Sequence, residues 1–486
     1  LSLIYGDHML SQNVQLLSDD QIQTIHEASL SVLQDVGIRV LNETARDIFC
    51  HHGCRVNAQS GNVCFPQDLV EQWRQTFPSR FRFYGREPRY DLTLPDDSPA
   101  IATTGIAPDV LDIENGQRRR ATSEDLSKIA HLVNMLPGID LFFVSTLLSD
   151  VPEDHYSLNS LYIAAKKCLK PIRCGVNSIQ DFKDIILLGE YIAGGTEAFQ
   201  KRPFFYFGHT ASISPLTLDK ESTSMILETV RRGLPCMAAV VPNSGLTAPL
   251  TLAGTLVLAN AEFLANNLLI QMVKEGTPIL YYSLPATSDM RNGAFSSGGI
   301  ESGILQIGCA QLARFYGVPS GGYAGATNAK LSDAQAGFEK GMSPTAAMLG
   351  GLNMVMLAGL IDALMVFSYP QLIIDSEIGE MIKRVYRGIS LDKDEMALDL
   401  IKTIGSGGSY IDSQHTLKHM RTATYYPHIA SRQSWQKWWD TGKYDTQTRA
   451  LQRVWNILSG DNPAAFSPDV DAKIRATFSD SLHVSM

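Results

Sequence analysis

Four short apolar runs in this chain begin directly after a proline: 172–176 after Pro171, 204–208 after Pro203, 236–241 after Pro235 and 279–283 after Pro278. Proline lacks an N–H and ends a helix, so a β-branched or aromatic run behind it reads as a strand. Similar runs at 101–104, 141–146, 318–323 and 364–368 bring the candidate strands to eight. Helix-length segments at 154–168, 181–193, 219–233, 250–275 and 299–316 separate them. Strands too apolar to alternate, spaced by helices, predict a parallel sheet buried on both faces. The fold class is therefore α/β, and eight such units match a (β/α)8 TIM barrel. An open doubly wound sheet is the alternative, and no GxGxxG follows the first strand to support it.

The chain has 486 residues, more than one core usually serves. Before the barrel, 17–37 has Ile22, Ile25, Ala28, Leu33 and Val36 at helical spacing behind Asp19 and Asp20. The segment 62–78 reads as a strand and a helix opened by Pro66, and the polar, proline-bearing stretch 84–97 reads as a boundary. The expected domains are a mixed helical N-terminal extension (1–97), a catalytic barrel (98–370) and a C-terminal helical segment (371–486). The last is charged, carries Trp435, Trp438 and Trp439, and is expected to pack on the barrel.

A net charge of -9 disfavours nucleic acid or an anionic membrane as the main partner. The longest apolar run, 345–361, contains Asn353 and stops before Asp362, short of the roughly 18 residues of a membrane span. It reads as a buried helix. No basic segment followed by a short apolar stretch opens the chain, so no secretory signal is read. Seven scattered cysteines with no CxxC pair predict reduced thiols and a cytoplasmic protein. Cys50, His51, His52, Cys54 and Cys64 match no standard zinc spacing.

In a barrel, function collects just past the strand ends. Those positions hold Gly105, Asn177, His209, Asn243, Tyr282 with Ser283, Tyr323 and Tyr369, a set without paired carboxylates. His209 reads equally as a substrate contact and as a structural histidine. Glu262 and Glu301, early on apolar helices, read as caps or ion-pair partners, since unpaired burial is costly. Phe205, Phe207, Tyr281, Tyr282, Tyr323, Phe338, Phe367 and Tyr369 fall near strand ends; alternation makes most of them core, and two or three pointing outward suffice to surround a quaternary ammonium.

The stretch 317–340, GVPSGGYAGATNAKLSDAQAGFEK, is dense in small residues. Glycine tolerates close approach of backbone to a ligand. Gly321, Gly322, Gly325, Ala326 and Asn328 therefore leave room for a large flat ligand. Lys330, Asp333 and Gln335 sit among them, either facing that ligand or forming a local capping network.

Residues 319–340, Leu252-Ala253-Gly254-Thr255, Asn260-Ala261-Glu262 and Leu312-Ala313-Arg314-Phe315-Tyr316-Gly317 resemble the trimethylamine-corrinoid methyltransferase family. Ile25-His26-Glu27-Ala28, Phe83-Tyr84-Gly85-Arg86, Ser368 and Ile374-Asp375 extend the resemblance over most of the chain. It implies a TIM barrel that passes a methyl group from an amine to the cobalt of a corrinoid (cobalamin) on a separate partner protein. No metal is then bound directly by this chain. Founding members of the family carry pyrrolysine where this chain has Ala326, and pyrrolysine-free members resemble quaternary-amine demethylases acting on glycine betaine, proline betaine or carnitine. The implied partners are a cognate corrinoid protein, a small quaternary amine and further copies of the chain. On this resemblance the cage is Tyr282, Tyr323, Phe338 and Phe367, with Glu262 or Glu301 as charge partner. His209, Asn177, Asn243 or helix N-termini receive a carboxylate, and the small-residue loop faces the corrin. Another methylated amine or sulfur substrate, or a betaine-binding protein without transfer, remain the alternatives.

Overall fold

Parallel strand pairs form the centre of the molecule, a computed structural model that describes residues 13–176 and 178–484. The segment 1–12, in which no secretory signal is read, and Asn177 lie outside the described residues. Ile172–Cys174 pairs in parallel with Phe142–Phe143 on one side and Phe205–His209 on the other, and the latter pairs with Cys236–Ala238. A second parallel set joins Gly321–Tyr323, Met354–Ala358 and Ala100–Thr103. Isolated parallel bridges link Ala102 to Leu141, Cys236 to Ile279, Val240 to Ser283 and Tyr281 to Ser320. Helices fall between the strands where the sequence placed them, among them Tyr156–Lys167, Ile179–Ala193, Lys220–Arg231, Leu252–Val273 and Ile300–Tyr316. The molecule is thus α/β, with a parallel arrangement at its heart.

Two expectations need correction. The strand that pairs with Ala100–Thr103 is Met354–Ala358, not 364–368. Within 364–368, Val366–Phe367 pairs antiparallel with Leu360–Ile361 and parallel with Asp109–Leu111, in a different sheet. Equally, the run 345–361 is not one buried helix. The helix Ala334–Leu349 stops at Gly350 and Gly351, and Gly351 takes φ 96°, a left-handed conformation that favours glycine. The chain then enters a fully buried strand.

The N-terminal extension contains Asp19–Ser31, opened by a Ser18 capping box, together with Glu43–His51 and Gln67–Arg74. Its sheet pairs Ile38–Val40 with Asn62–Cys64 and, in parallel, with Thr217–Leu218 from the loop after Phe205–His209. This unit packs on Leu252–Val273. That is the described helix long and apolar enough to cross a membrane, and 89% of its apolar window is buried inside the protein. Burial of each large aliphatic side chain contributes about 1.5–3 kcal/mol, so this helix is a principal source of core stability. Towards the C-terminus, Thr446–Leu458 packs on Tyr369–Tyr386 and on Ser123–Met135. Between them Trp435–Asp440 buries none of its residues, and Trp435 is 72% exposed.

Candidate functional site

Strand alternation sorts the side chains into two sets. One set, which includes Ala100, Ala102, Leu141, Phe143, Tyr206, Met237, Leu280, Tyr282, Met354 and Met356, gathers into a single cluster with Tyr323 packed against it. The other set, such as Ile172, Cys174, Phe205 and Phe207, packs toward the helices. The hairpin Phe81–Phe83/Leu92–Leu94 joins the first cluster at the beginnings of the strands. There the Tyr84 N–H donates to the Tyr206 hydroxyl at 2.5 Å, and that hydroxyl donates to the Arg82 carbonyl at 3.2 Å.

Farther along the strands this inner face holds Tyr282 and Tyr323, and paired beside Tyr206 stands a residue absent from the sequence-derived candidates, Arg173, whose guanidinium reaches Gly208. Ile172 and Cys174 face the helices, so alternation turns Arg173 inward. Its guanidinium lies 5.3 Å from the Phe143 ring centroid, and its charge acts on the ionisation of Tyr282 and Tyr323. The Tyr282 hydroxyl approaches Met356 Sδ at 3.0 Å, and burial pushes its ionisation upward. On the inward register of the strands, Arg173 is the charged side chain among described residues otherwise apolar, aromatic or hydroxylic.

His209 lies on the other register. Its Nε2 is 2.9 Å from Thr229 Oγ1 on Lys220–Arg231, and the residue is 3% exposed. Burial, with the neighbouring Arg173 charge, lowers its ionisation to about 3, so the ring is neutral at physiological pH. Glu262 is fully buried on Leu252–Val273 and accepts from Ser214 Oγ at 2.6 Å and the Leu216 N–H at 2.7 Å. Burial raises its carboxyl, and its partners tie down the loop that joins the N-terminal sheet. Glu301 is exposed at the start of Ile300–Tyr316. Asn243 accepts from Ser288 Oγ at 2.8 Å in a small sheet beyond the strand ends. Phe338 is 56% exposed, whereas Phe367 is buried against Tyr369 in the separate sheet. Of the expected cage, the structure brings together Tyr282 and Tyr323.

The small-residue loop turns its economy inward. A Cβ on Gly322 would overlap the Gln306 amide, one on Gly321 would meet Met354, and one on Gly325 would lie 2.5 Å from Leu357 Cδ1. Ala326 and Ala329 are buried, and Asn328 donates from Nδ2 to the Phe295 carbonyl at 2.8 Å. Asp333 caps Ala334–Leu349, Gln335 donates to Glu339 at 2.9 Å, and Lys330 pairs with Asp362 at 3.2 Å. Beneath the loop a buried ion pair spans 3.0 Å between Lys340 Nζ and Asp375 Oδ2. Lys340 also donates to the carbonyls of Gly325 (3.0 Å) and Leu357 (2.6 Å), and Asp375 accepts from the Gly359 N–H at 2.8 Å. Among the described residues no group of three His, Cys, Asp or Glu side chains converges to hold a metal. Cys54 is buried, which pushes its thiol up to about 12.

A parallel α/β frame with an aromatic, sparsely charged inner face is an architecture that many small-molecule enzymes share. The chain belongs to the trimethylamine methyltransferase (MTTB) family, whose model matches residues 8–481. It is 32% identical over 464 residues to a glycine betaine methyltransferase of Desulfitobacterium hafniense (strain Y51), covering 95% of this chain and 96% of that one. It is 30% identical over 475 residues to the trimethylamine methyltransferase MttB of Methanosarcina barkeri, covering 95% and 94%. The crystal structure of the Methanosarcina barkeri monomethylamine methyltransferase (MtmB) aligns with 12% identity over 90% of this chain and 92% of that one, at a TM-score of 0.48.

Proposed function

We propose that this protein transfers a methyl group from a quaternary amine of the glycine betaine type to the cobalt(I) corrinoid of a separate protein. The observation that carries the reading is an inner face on which, among the described residues, no carboxylate or histidine stands. His209 is neutral and turned to a helix, Glu262 is committed to a loop, and the position of pyrrolysine in founding relatives is a buried alanine, Ala326. A quaternary ammonium needs no proton to leave. When the N–CH3 bond breaks, the electron pair stays on nitrogen, a neutral tertiary amine departs, and the methyl passes to the nucleophile that a reduced corrinoid supplies. The protein's work is then to hold the N–CH3 axis in line and exclude water. Tyr282 and Tyr323 fit the first task, each cation–π contact contributing about 0.5–2 kcal/mol.

The fold proposed for this work is a closed (β/α)8 cylinder. Its support is the chain of parallel pairings and bridges that leads from Ala100–Thr103 through 141–143, 172–174, 205–209, 236–240, 279–283 and 320–323 to Met354–Ala358, which pairs again with Ala100–Thr103. We place the start of this catalytic unit at 98, behind the extension 1–97, and carry it beyond 370 to Tyr386, because Tyr369–Tyr386 supplies Asp375 to the buried pair. Partner docking at the strand ends is supported by exposed apolar residues on the segments that follow them, including Leu246, Leu250, Met290, Leu331 and Met342. A cytoplasmic setting accords with seven unpaired cysteines.

The test is to mix the protein with glycine betaine and a Co(I) corrinoid protein and follow the visible spectrum. Methyl-cobalt and dimethylglycine should appear in equal amounts. Absence of conversion with glycine betaine, proline betaine and carnitine, alongside turnover of trimethylamine, would overturn the substrate class.

A further inference from the structure

We infer that Arg173 is the anchor for the substrate's carboxylate, making the site selective for zwitterions over plain ammonium cations. This rests on the betaine-type reading above and adds to it the group that recognises the anionic end.

Three observations converge on that role. First, the guanidinium has no carboxylate partner among the described residues. Among the described residues its one hydrogen bond is a long one, from Nη2 to the Gly208 carbonyl at 3.5 Å, and its buried Nε meets no acceptor there. A buried donor left without an acceptor is costly, the more so on a charged group, so a ligand acceptor accounts for it better than packing does. Second, the guanidinium has a dedicated seat. A Cβ on Gly208 would overlap Nη2, Nε and the central carbon, so the glycine in Phe205–His209 leaves the space the guanidinium fills. Third, the surroundings are aromatic rather than acidic: Phe143 at 5.3 Å, with Tyr282 and Tyr323 within reach of its charge.

The arrangement has a consequence for specificity. A bare quaternary ammonium entering this face meets a positive charge and is repelled. A betaine brings its own carboxylate to the guanidinium fork, a geometry that arginine satisfies with paired hydrogen bonds. The tether then leaves the ammonium end to the aromatic rings. Charge alone thus separates glycine betaine from choline, which has a hydroxyl where betaine has a carboxylate.

The experiment has three arms. Calorimetric titration of the wild-type protein, without corrinoid partner, compares glycine betaine with choline; the expected preference for betaine is on the order of 100-fold. Arg173→Gln and Gly208→Ala, the second leaving the arginine present but unseated, should each erase most of that preference and raise the KM for betaine far more than they lower kcat. A variant that merely misfolds loses both ligands, and the wild-type ratio still decides. Equal wild-type affinity for the two ligands, or full preference retained in both variants, overturns the anchor. Wild-type methyl transfer from betaine is the third arm. If it proceeds while the variants bind normally, only the anchor is wrong; if the wild type neither binds nor demethylates any betaine, the functional reading fails and the anchor with it.

Discussion

Acidification tests the placement of His209 directly. Its imidazole ionises near 3 in the folded protein because burial and the Arg173 charge oppose protonation, against an ordinary value of 6.5. The unfolded chain therefore binds more protons across that interval. The contribution is complete above about pH 6.5 and is lost as pH falls toward about 3. Between about pH 7 and about pH 4.5 the loss from this one group comes to about 2.5 kcal/mol. Urea denaturation of the wild type and of His209→Gln across that range isolates it, since the other titrating groups are common to both proteins. The wild type should lose about 2.5 kcal/mol more than the variant. Parallel pH curves would refute the buried, neutral assignment. Because the ring faces Thr229 on a helix, the variant should also keep methyl transfer near the wild-type rate, and a collapse in kcat would return His209 to the substrate.

Lys340→Met should destabilise the fold by about 3–5 kcal/mol, since it strands the Asp375 carboxylate in the core; the double variant Lys340→Met/Asp375→Leu should recover much of that in thermal unfolding. Glu262→Ala should cost about 1–3 kcal/mol in denaturant stability, because Ser214 Oγ and the Leu216 N–H both lose their acceptor. Substrate affinity should be spared in that variant, and a large rise in KM without loss of stability would instead make Glu262 the partner of the ammonium.

The proline-led strands and the helices between them were legible because their signals are local: a missing N–H, a β-branched run, a helical spacing. The eighth strand was not. Met354–Ala358 follows its helix so closely that 345–361 reads as one apolar run, and only Gly350-Gly351 marks the break. The direction of His209 was illegible for a different reason. Whether a strand residue faces in or out depends on its register against neighbours far along the chain, such as Phe207 against Cys236 and His209 against Ala238. Arg173 was not legible because function is expected past the strand ends, here at Asn177, while the residue sits inside the apolar strand Ile172–Cys174. Two signals were available: a lone arginine in Ile172-Arg173-Cys174, and Gly208 in the middle of an aromatic strand, which marks close approach of another group. The glycines at 322 and 325 point the same way, since the atoms that require them, on Gln306 and Leu357, are distant in sequence or on a different strand.

In the proposed closed cylinder, the hairpin Phe81–Phe83/Leu92–Leu94, held to Tyr206, would stopper the end where the strands begin. A vessel with one neck imposes an itinerary. On the proposed reaction the amine must go in before the corrinoid carrier covers the opening, and the demethylated product must wait for the carrier to depart. Steady-state kinetics should then follow a compulsory order, with the amine first to bind and its demethylated remnant last to leave.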